Sequence, residues 1–566
     1  MSSPDIIDHL RQSESPRLQK LAATMESNSS TVKWETVDVD VVIVGSGPIA
    51  ATYARVILEK KPDTTIVMIE AGSQESPVIG GHHKNAMRYQ RNPDAFVPYI
   101  KAALEPVSVP PTDPNLFPHA WQNPDQKFDT DLPAAAVSRT VGGMGSHWTC
   151  ACPEPEDDER TNNPIEKSTF NGLLQRAAEF FKVSTTQYDK SIRHTVVKEV
   201  LTKECPTQSF VNIPLAVQRV ERPTEDDLLI WSGVDTILGP DIKFVASKDL
   251  EQNVQLRLMT NTVARTIVSN GNSATHVLAC DIENISPDRE HWYVIKGKVF
   301  VAACGAIGTP QLLNMAFGRD VVHSDNPHLG AWLSEQTMAF CQVALKRSIV
   351  ESIRNDPRFK EQRDDHKRHH PDDPLPIPFN DPEPQIFLKY KKENGYIGMI
   401  DRNAFFTGVR PEVDPRVVVD LRFYSKNDVQ QANHMEFDWK KMDRYDMPRP
   451  LFKVNKTDAD RDRENKMVKD MSDVAYALGG FVPGSEPQLM PMGLALHITG
   501  TTRIGKGKDT SLADSKSRVW DFSNLWVGGN GCIPDATAAN PTLTSVAIAI
   551  YGAEAVVEFL NKQNSA

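Results

Sequence analysis

The chain has 566 residues, too many for one compact core, so two or more folded regions with room for a large cofactor are expected. Its composition is globular, with 40% hydrophobic and 24% charged residues, and a formal net charge of -11 argues against a nucleic-acid partner. The opening MSSPDIIDHLRQSESPRLQKL lacks the apolar stretch of a secretory signal and no apolar run of about 18 residues stands out, so a cytoplasmic protein without a membrane partner is expected.

Residues 1–36 are polar, rich in serine and without sustained periodicity, and read as a flexible or loosely docked arm. VDVDVVIVG at 37–45 is a β-branched run ending in glycine. In the following PIAATYARVILEKK, residues Ile49, Tyr53, Val56 and Ile57 recur at helical spacing, and a second apolar strand, TTIVMIE, ends at Glu70. This β-α-β unit calls for a parallel sheet. The proline-rich stretch 72–135 suits loops that wrap over a site. VGGMGSHWTCAC at 141–152 then leads three glycines into His147, as though a flexible loop were shaped around a ligand. Cys150 and Cys152 lack a second cysteine pair at zinc spacing, and seven scattered cysteines make no disulfide framework; no metal site is expected.

KVFVAACGAIG at 298–308 reads as a strand running into the helix start TPQLLNMA. Residues 350–385 are dense in charge and proline and read as an exposed insertion, its RDDHKRHH tract a solvated loop. From 386 the segments IFLKY, RVVVDLRFY and LFKVN suggest a mainly antiparallel sheet. The end, LWVGGNGCIPDATAANPTLTSVAIAIYGAEAVVEFL, returns to strand, glycine loop and long helix, so the chain is expected to re-enter its first domain.

GSGPIA at 45–50 has the spacing of a dinucleotide-binding turn. Gly45 would make the tight turn, Gly47 would let the backbone approach a pyrophosphate, and Ala50 would keep helix and strand close. The helix N-terminus adds donors for the phosphates, and Glu70, 25 positions after Gly45, is placed to accept from ribose hydroxyls. The motif alone does not separate FAD from NAD. Its N-terminal position and the returning glycine-rich segment favour the longer FAD.

Together GSGPIA with Glu70, GAIGTPQLL at 305–313 and VGGNGCIPDATAANPTLTSVAIAI resemble the glucose-methanol-choline (GMC) oxidoreductases. VGGMGSHWTCACPEP, RNAFFTGVRPEVDPRVVVDLRFY and GGFVPGSEPQLMPMGLALHITGTTRIG are similar to the pyranose 2-oxidase branch of that family, and the matches run from about residue 38 to 558. The resemblance implies an α/β fold: a Rossmann-like FAD-binding domain from 37–160, 250–345 and 510–566, and a second α+β substrate domain on a mainly antiparallel sheet from 161–249 and 346–509. It places Gly142, Gly143, Trp148, Thr149, Val263, Gly529, Asn530 and Thr542 around the cofactor. His147, in S-H-W where the family has T-H-W, takes the place of a histidine joined covalently to the flavin 8α-methyl, the alternative being that it packs beside a noncovalent flavin.

By the same resemblance His497 takes the proton of a substrate hydroxyl as hydride leaves the carbon, and Asn540 hydrogen-bonds the same oxygen. Ala404, Phe405, Phe406 and Thr407 fall in the mobile substrate loop, with Arg422 beyond it. Asn403, Phe406 and Thr407 depart from the family pattern, and Thr502 stands where a second histidine is usual. The implied reaction oxidises a pyranose such as D-glucose at C2, with dioxygen reduced to hydrogen peroxide. Alternatives are action at C3, on a glycoside or on a glucose-derived fungal intermediate of the kojic-acid type, or with a quinone acceptor. The shorter 153–300 region leaves open whether the chain forms a homo-oligomer.

Overall fold

The computed structural model describes residues 4–27, 32–91, 95–107, 127, 130–222, 227–249, 254–283, 290–318, 327–402 and 413–563. Six parallel strands form one sheet in the order Leu525–Val527, Val299–Ala302, Val41–Val44, Ile66–Ile69, Leu256–Met259 and Phe244–Ala246. The four strands Val41–Val44, Ile66–Ile69, Leu256–Met259 and Val299–Ala302 are buried along their whole length. That explains why their sequences run apolar without alternating: a parallel sheet is covered on both faces. Helix Pro48–Lys60 packs against the long C-terminal helix Thr542–Gln563, which in turn meets helix Lys167–Phe181. The expected return of the chain to its first domain is therefore seen in the strand Leu525–Val527 and the helix after it.

A second, antiparallel sheet runs Gly479–Phe481, Thr337–Leu345, Val418–Ser425, Tyr396–Asp401, Ile386–Leu388 and Phe210–Asn212. The helix Asp458–Leu478 packs across it through Met467, Met471, Val474 and Leu478. A four-stranded sheet of Val32–Asp38, Glu290–Lys296, Ser273–Asp281 and Thr262–Asn270 stands beside the parallel one.

Four expectations change. Within the first 36 residues the described segments are docked rather than a loose arm: helices Pro4–Gln12 and Pro16–Glu26 bury Ile6, Leu10, Leu18 and Leu21 against Trp292 and Val294, and Val32–Asp38 pairs with Glu290–Lys296. Apolar positions three and four apart do line one face, but each helix is too short for the pattern to stand out from its polar neighbours. The 350–385 stretch folds as well, into helices Arg347–Asn355 and Lys360–His369. Ile349, Ile353, Phe359 and Ile377 pack on Ile192 and Val196, and Arg416 pairs with Asp373.

LFKVN lies outside the antiparallel sheet, in a separate pairing of His434–Met442 with Pro448–Lys453. The division of sequence between the two sheets also differs from expectation. Phe244–Ala246 edges the parallel sheet and Lys167–Phe181 packs beside it, whereas Thr337–Leu345 belongs to the antiparallel sheet. Strand membership follows hydrogen-bonding partners far away in sequence, which local composition does not specify.

Candidate active site

At the C-terminal ends of the parallel strands lies a cavity of about 330 Å³, within the usual range for ligand pockets. Strand Val41–Val44 delivers Gly45 at φ +107°, where a Cβ would lie 2.3 Å from the carbonyl oxygen of Ala303 on the neighbouring strand's end. Only glycine fits that crossing. The second glycine cluster closes on the first: Gly142 and Gly143 take φ of +92° and +53°, and a Cβ on Gly143 would approach the Gly47 Cα to 3.5 Å. Ser46 ties the two together. Its hydroxyl donates to Glu70 at 2.6 Å and accepts from the Gly142 amide at 3.0 Å, while the other Glu70 oxygen accepts from Gly72.

Gly45, Gly47, Glu70, Gly143, His147, Trp148 and Thr149 line the cavity, as do Val263, Gly529, Asn530 and Thr542. Ala50 does not; it is fully buried in the core. Gly142 sits just behind the wall, held by Ser46. Trp148 is fixed by its indole N–H on the Ser232 carbonyl and by packing against Phe181. The substrate-loop residues Ala404, Phe405, Phe406 and Thr407 lie outside the described residues.

His147 is 2% exposed, and burial pushes its ring down to about 4, so it is a neutral imidazole at ordinary pH. The Ser138 hydroxyl donates to the Ala103 carbonyl, and its oxygen faces His147 Nε2 at 2.7 Å. Among the described residues the other ring nitrogen, Nδ1, is buried without a hydrogen-bond partner. A buried neutral imidazole with an unpartnered nitrogen, a glycine turn that no side chain could enter and a carboxylate at the next strand's end fit a flavin dinucleotide.

Just before His497, which also lines the cavity, Leu496 adopts the left-handed φ of +61°. His497 Nε2 and Asn540 Nδ2 are 3.3 Å apart, and both residues line the cavity. Burial, and then the Arg422 guanidinium, push the His497 ring down to about 3. Arg422 also lines the cavity, donating to Asp401. Sequence reasoning missed Ser46, and it missed Glu335 and Gln336. The Glu335 carboxyl group accepts the His497 backbone N–H, and Gln336 Oε1 lies 2.7 Å from His497 Nδ1. The only signal for that pair was two polar residues together at the edge of an apolar strand, in LSEQTMAF.

A family model described as GMC oxidoreductase matches residues 430–549. The chain is 47% identical to a pyranose 2-oxidase of Tricholoma matsutake over 92% of its own length and 94% of that protein's. The chain belongs to the GMC oxidoreductases, in the pyranose 2-oxidase family. It is thus an FAD-dependent oxidoreductase acting on CH–OH donors. It is also 30% identical to a C-glycoside 3-oxidase of Microbacterium trichothecenolyticum, over 92% of this chain and 96% of that one. The fold is shared with a formate oxidase crystal structure, at a TM-score of 0.62 and 13% identity, over 94% of this chain and 99% of that one. Among the described residues, one helix, Thr542–Gln563, is long and apolar enough to cross a membrane, where no such apolar run was expected; it is the long C-terminal helix, mostly buried in the core of this GMC oxidoreductase.

Proposed function

We propose that the enzyme oxidises a pyranose, D-glucose or a close relative, at C2 to the 2-keto sugar while dioxygen is reduced to hydrogen peroxide. The observation that carries this reading is the His497–Asn540 pair, 3.3 Å apart, lining the same cavity as the Gly45 and Gly47 turn. When bound, FAD supplies the acceptor for the hydride and passes two electrons on to the oxidant. His497, neutral because it is buried, takes the hydroxyl proton at Nε2 as the carbon–oxygen double bond forms. Asn540, whose Oδ1 is buried without a partner among the described residues, hydrogen-bonds the same oxygen and needs no change of charge. His147 is proposed as the covalent anchor of the flavin, supported by its neutral, buried ring and its unpartnered nitrogen.

A second reading, oxidation at C3 or of a glycoside, is favoured by the likeness to the C-glycoside 3-oxidases and by the departures at Phe406 and Thr407. Anaerobic mixing of the purified enzyme with glucose, xylose, galactose and a C-glycoside, followed by identification of the keto sugar, separates the readings. A 2-keto product from a free pyranose supports the first. Bleaching of the flavin bands only by a glycoside, or a 3-keto product, sinks it. Reoxidation by oxygen against a quinone identifies the acceptor.

A further inference from the structure

Resting on the reading of His497 as the base, we infer that Gln336 is a positioning residue that fixes the ring tautomer of His497, keeping its proton on Nδ1 so that Nε2 faces the substrate as a lone pair.

The argument is one of donors and acceptors. An amide oxygen and an amide nitrogen are told apart by their partners. The Gln336 Nε2 group lies 2.6 Å from the Thr537 carbonyl and 2.9 Å from the Ala539 carbonyl, and only an N–H2 group can serve both. The orientation of the amide is therefore settled by the backbone, and its Oε1 is left at 2.7 Å from His497 Nδ1. An amide oxygen only accepts, so Nδ1 must carry the hydrogen. In a neutral imidazole that leaves Nε2 unprotonated, which is also what the Asn540 Nδ2 donor at 3.3 Å requires.

The geometry extends beyond the ring. Thr537 and Ala539 precede Asn540, so one buried side chain, 4% exposed, orients the base and grips the loop that carries its partner. Glu335, next to it, holds the His497 backbone N–H. The groups facing the ring from the packed elements are Glu335 and Gln336, just before the strand Thr337–Leu345, Arg422 and Tyr424 from the strand Val418–Ser425, and Asn540. Among these Gln336 alone contacts Nδ1. When Nε2 takes the proton, both ring nitrogens become donors, and the bond to Gln336 Oε1 strengthens without any side chain having to move. A glutamate there would have to be protonated to face two carbonyls, and once ionised it would be repelled by them.

The test uses flavin-loaded enzyme. Gln336→Met keeps the size and removes both roles, and anaerobic flavin reduction by sugar should slow about 100-fold, between the loss of a neutral hydrogen bond and a wholly wrong tautomer. The sugar concentration for half-saturation should change little. Gln336→Glu should retain most of the wild-type rate at low pH and lose it as pH rises, a profile that a merely structural role would not produce. Independently of activity, nitrogen-15 shifts of the His497 ring in wild type should show the proton on Nδ1, so the proposal is testable even if Gln336→Met fails to fold. A proton on Nε2 in wild type, or a wild-type rate in Gln336→Met, overturns it. His497→Ala run in parallel distinguishes the two failures: a wild-type rate there removes the base itself, whereas a dead His497→Ala beside a fully active Gln336→Met removes only Gln336.

Discussion

His497 is held from three sides, by Glu335 at its backbone, Gln336 at Nδ1 and Asn540 at Nε2, and it is deprotonated because it is buried. General-base catalysis contributes about 100- to 10,000-fold, so His497→Ala should lose that much of the sugar-driven flavin reduction while still binding flavin. Asn540→Ala should cost less, about 10-fold, the scale of one neutral hydrogen bond. Because the ring is pushed down to about 3, the wild-type rate should stay level as pH falls through 6.5 and drop only nearer that lowered value. A fall centred on 6.5 in rapid-mixing traces would show that the ring is solvated.

Glu335 makes the opposite prediction at the same site. Burial raises its carboxyl to about 8, so the folded protein holds a proton that the unfolded chain gives up above about 4.5. Its contribution to stability is complete below the unfolded value and is lost as pH rises through 8. Glu335→Gln, which keeps a neutral carbonyl for the His497 and Gln336 amides, should lose that dependence. Its thermal midpoint relative to wild type should therefore improve between pH 4.5 and 8, and parallel curves would place the carboxyl in its ordinary range.

Among the elements, the N-terminal helices carry a consequence for the cofactor. Leu10, Leu18 and Leu21 share one buried cluster with Val263, Tyr445 and Met447, and those three line the cavity. Deleting residues 1–27 would expose one side of that wall. The truncated enzyme should melt at a lower temperature and, in a His147→Ala background where any covalent link is absent, should release flavin faster on gel filtration. Unchanged release and melting would make the helices an ornament of the fold. The element scale also shows what sequence makes legible. VVIV, GSGPIA and IVMI stood out as strand, turn and strand because the β-α-β signal is local and glycine marks the crossing. The pairing of Thr337–Leu345 with Val418–Ser425 did not, because it joins segments about eighty residues apart whose apolar patterns fit either sheet.

For the whole molecule, the prediction concerns how the cofactor is held. If His147 is the anchor, acid-precipitated wild-type protein should keep its yellow colour and the flavin mass, whereas His147→Ala should release FAD into the supernatant. The same variant should melt at a lower temperature once free flavin is removed, since whatever binds only the folded state stabilises it. Complete release from denatured wild type would leave a noncovalent flavoenzyme with the family assignment intact.

By itself the sequence marked Gly45 and Gly47 as a glycine turn after a strand, Glu70 at the end of the next strand and His147 after a glycine loop, each a local pattern of residue type and neighbours, whereas His497 and Asn540 were singled out by the family resemblance of their motifs. Only the tertiary structure decided that Ser46 joins the two glycine loops, that helices Pro4–Gln12 and Pro16–Glu26 pack behind the cavity wall, and that Gln336 faces His497 across 161 positions of chain. The physical reason is that a hydrogen bond is specific to atoms and blind to sequence distance. A glutamine at the edge of a strand has many possible partners until the fold sets two carbonyls against its nitrogen and an imidazole against its oxygen.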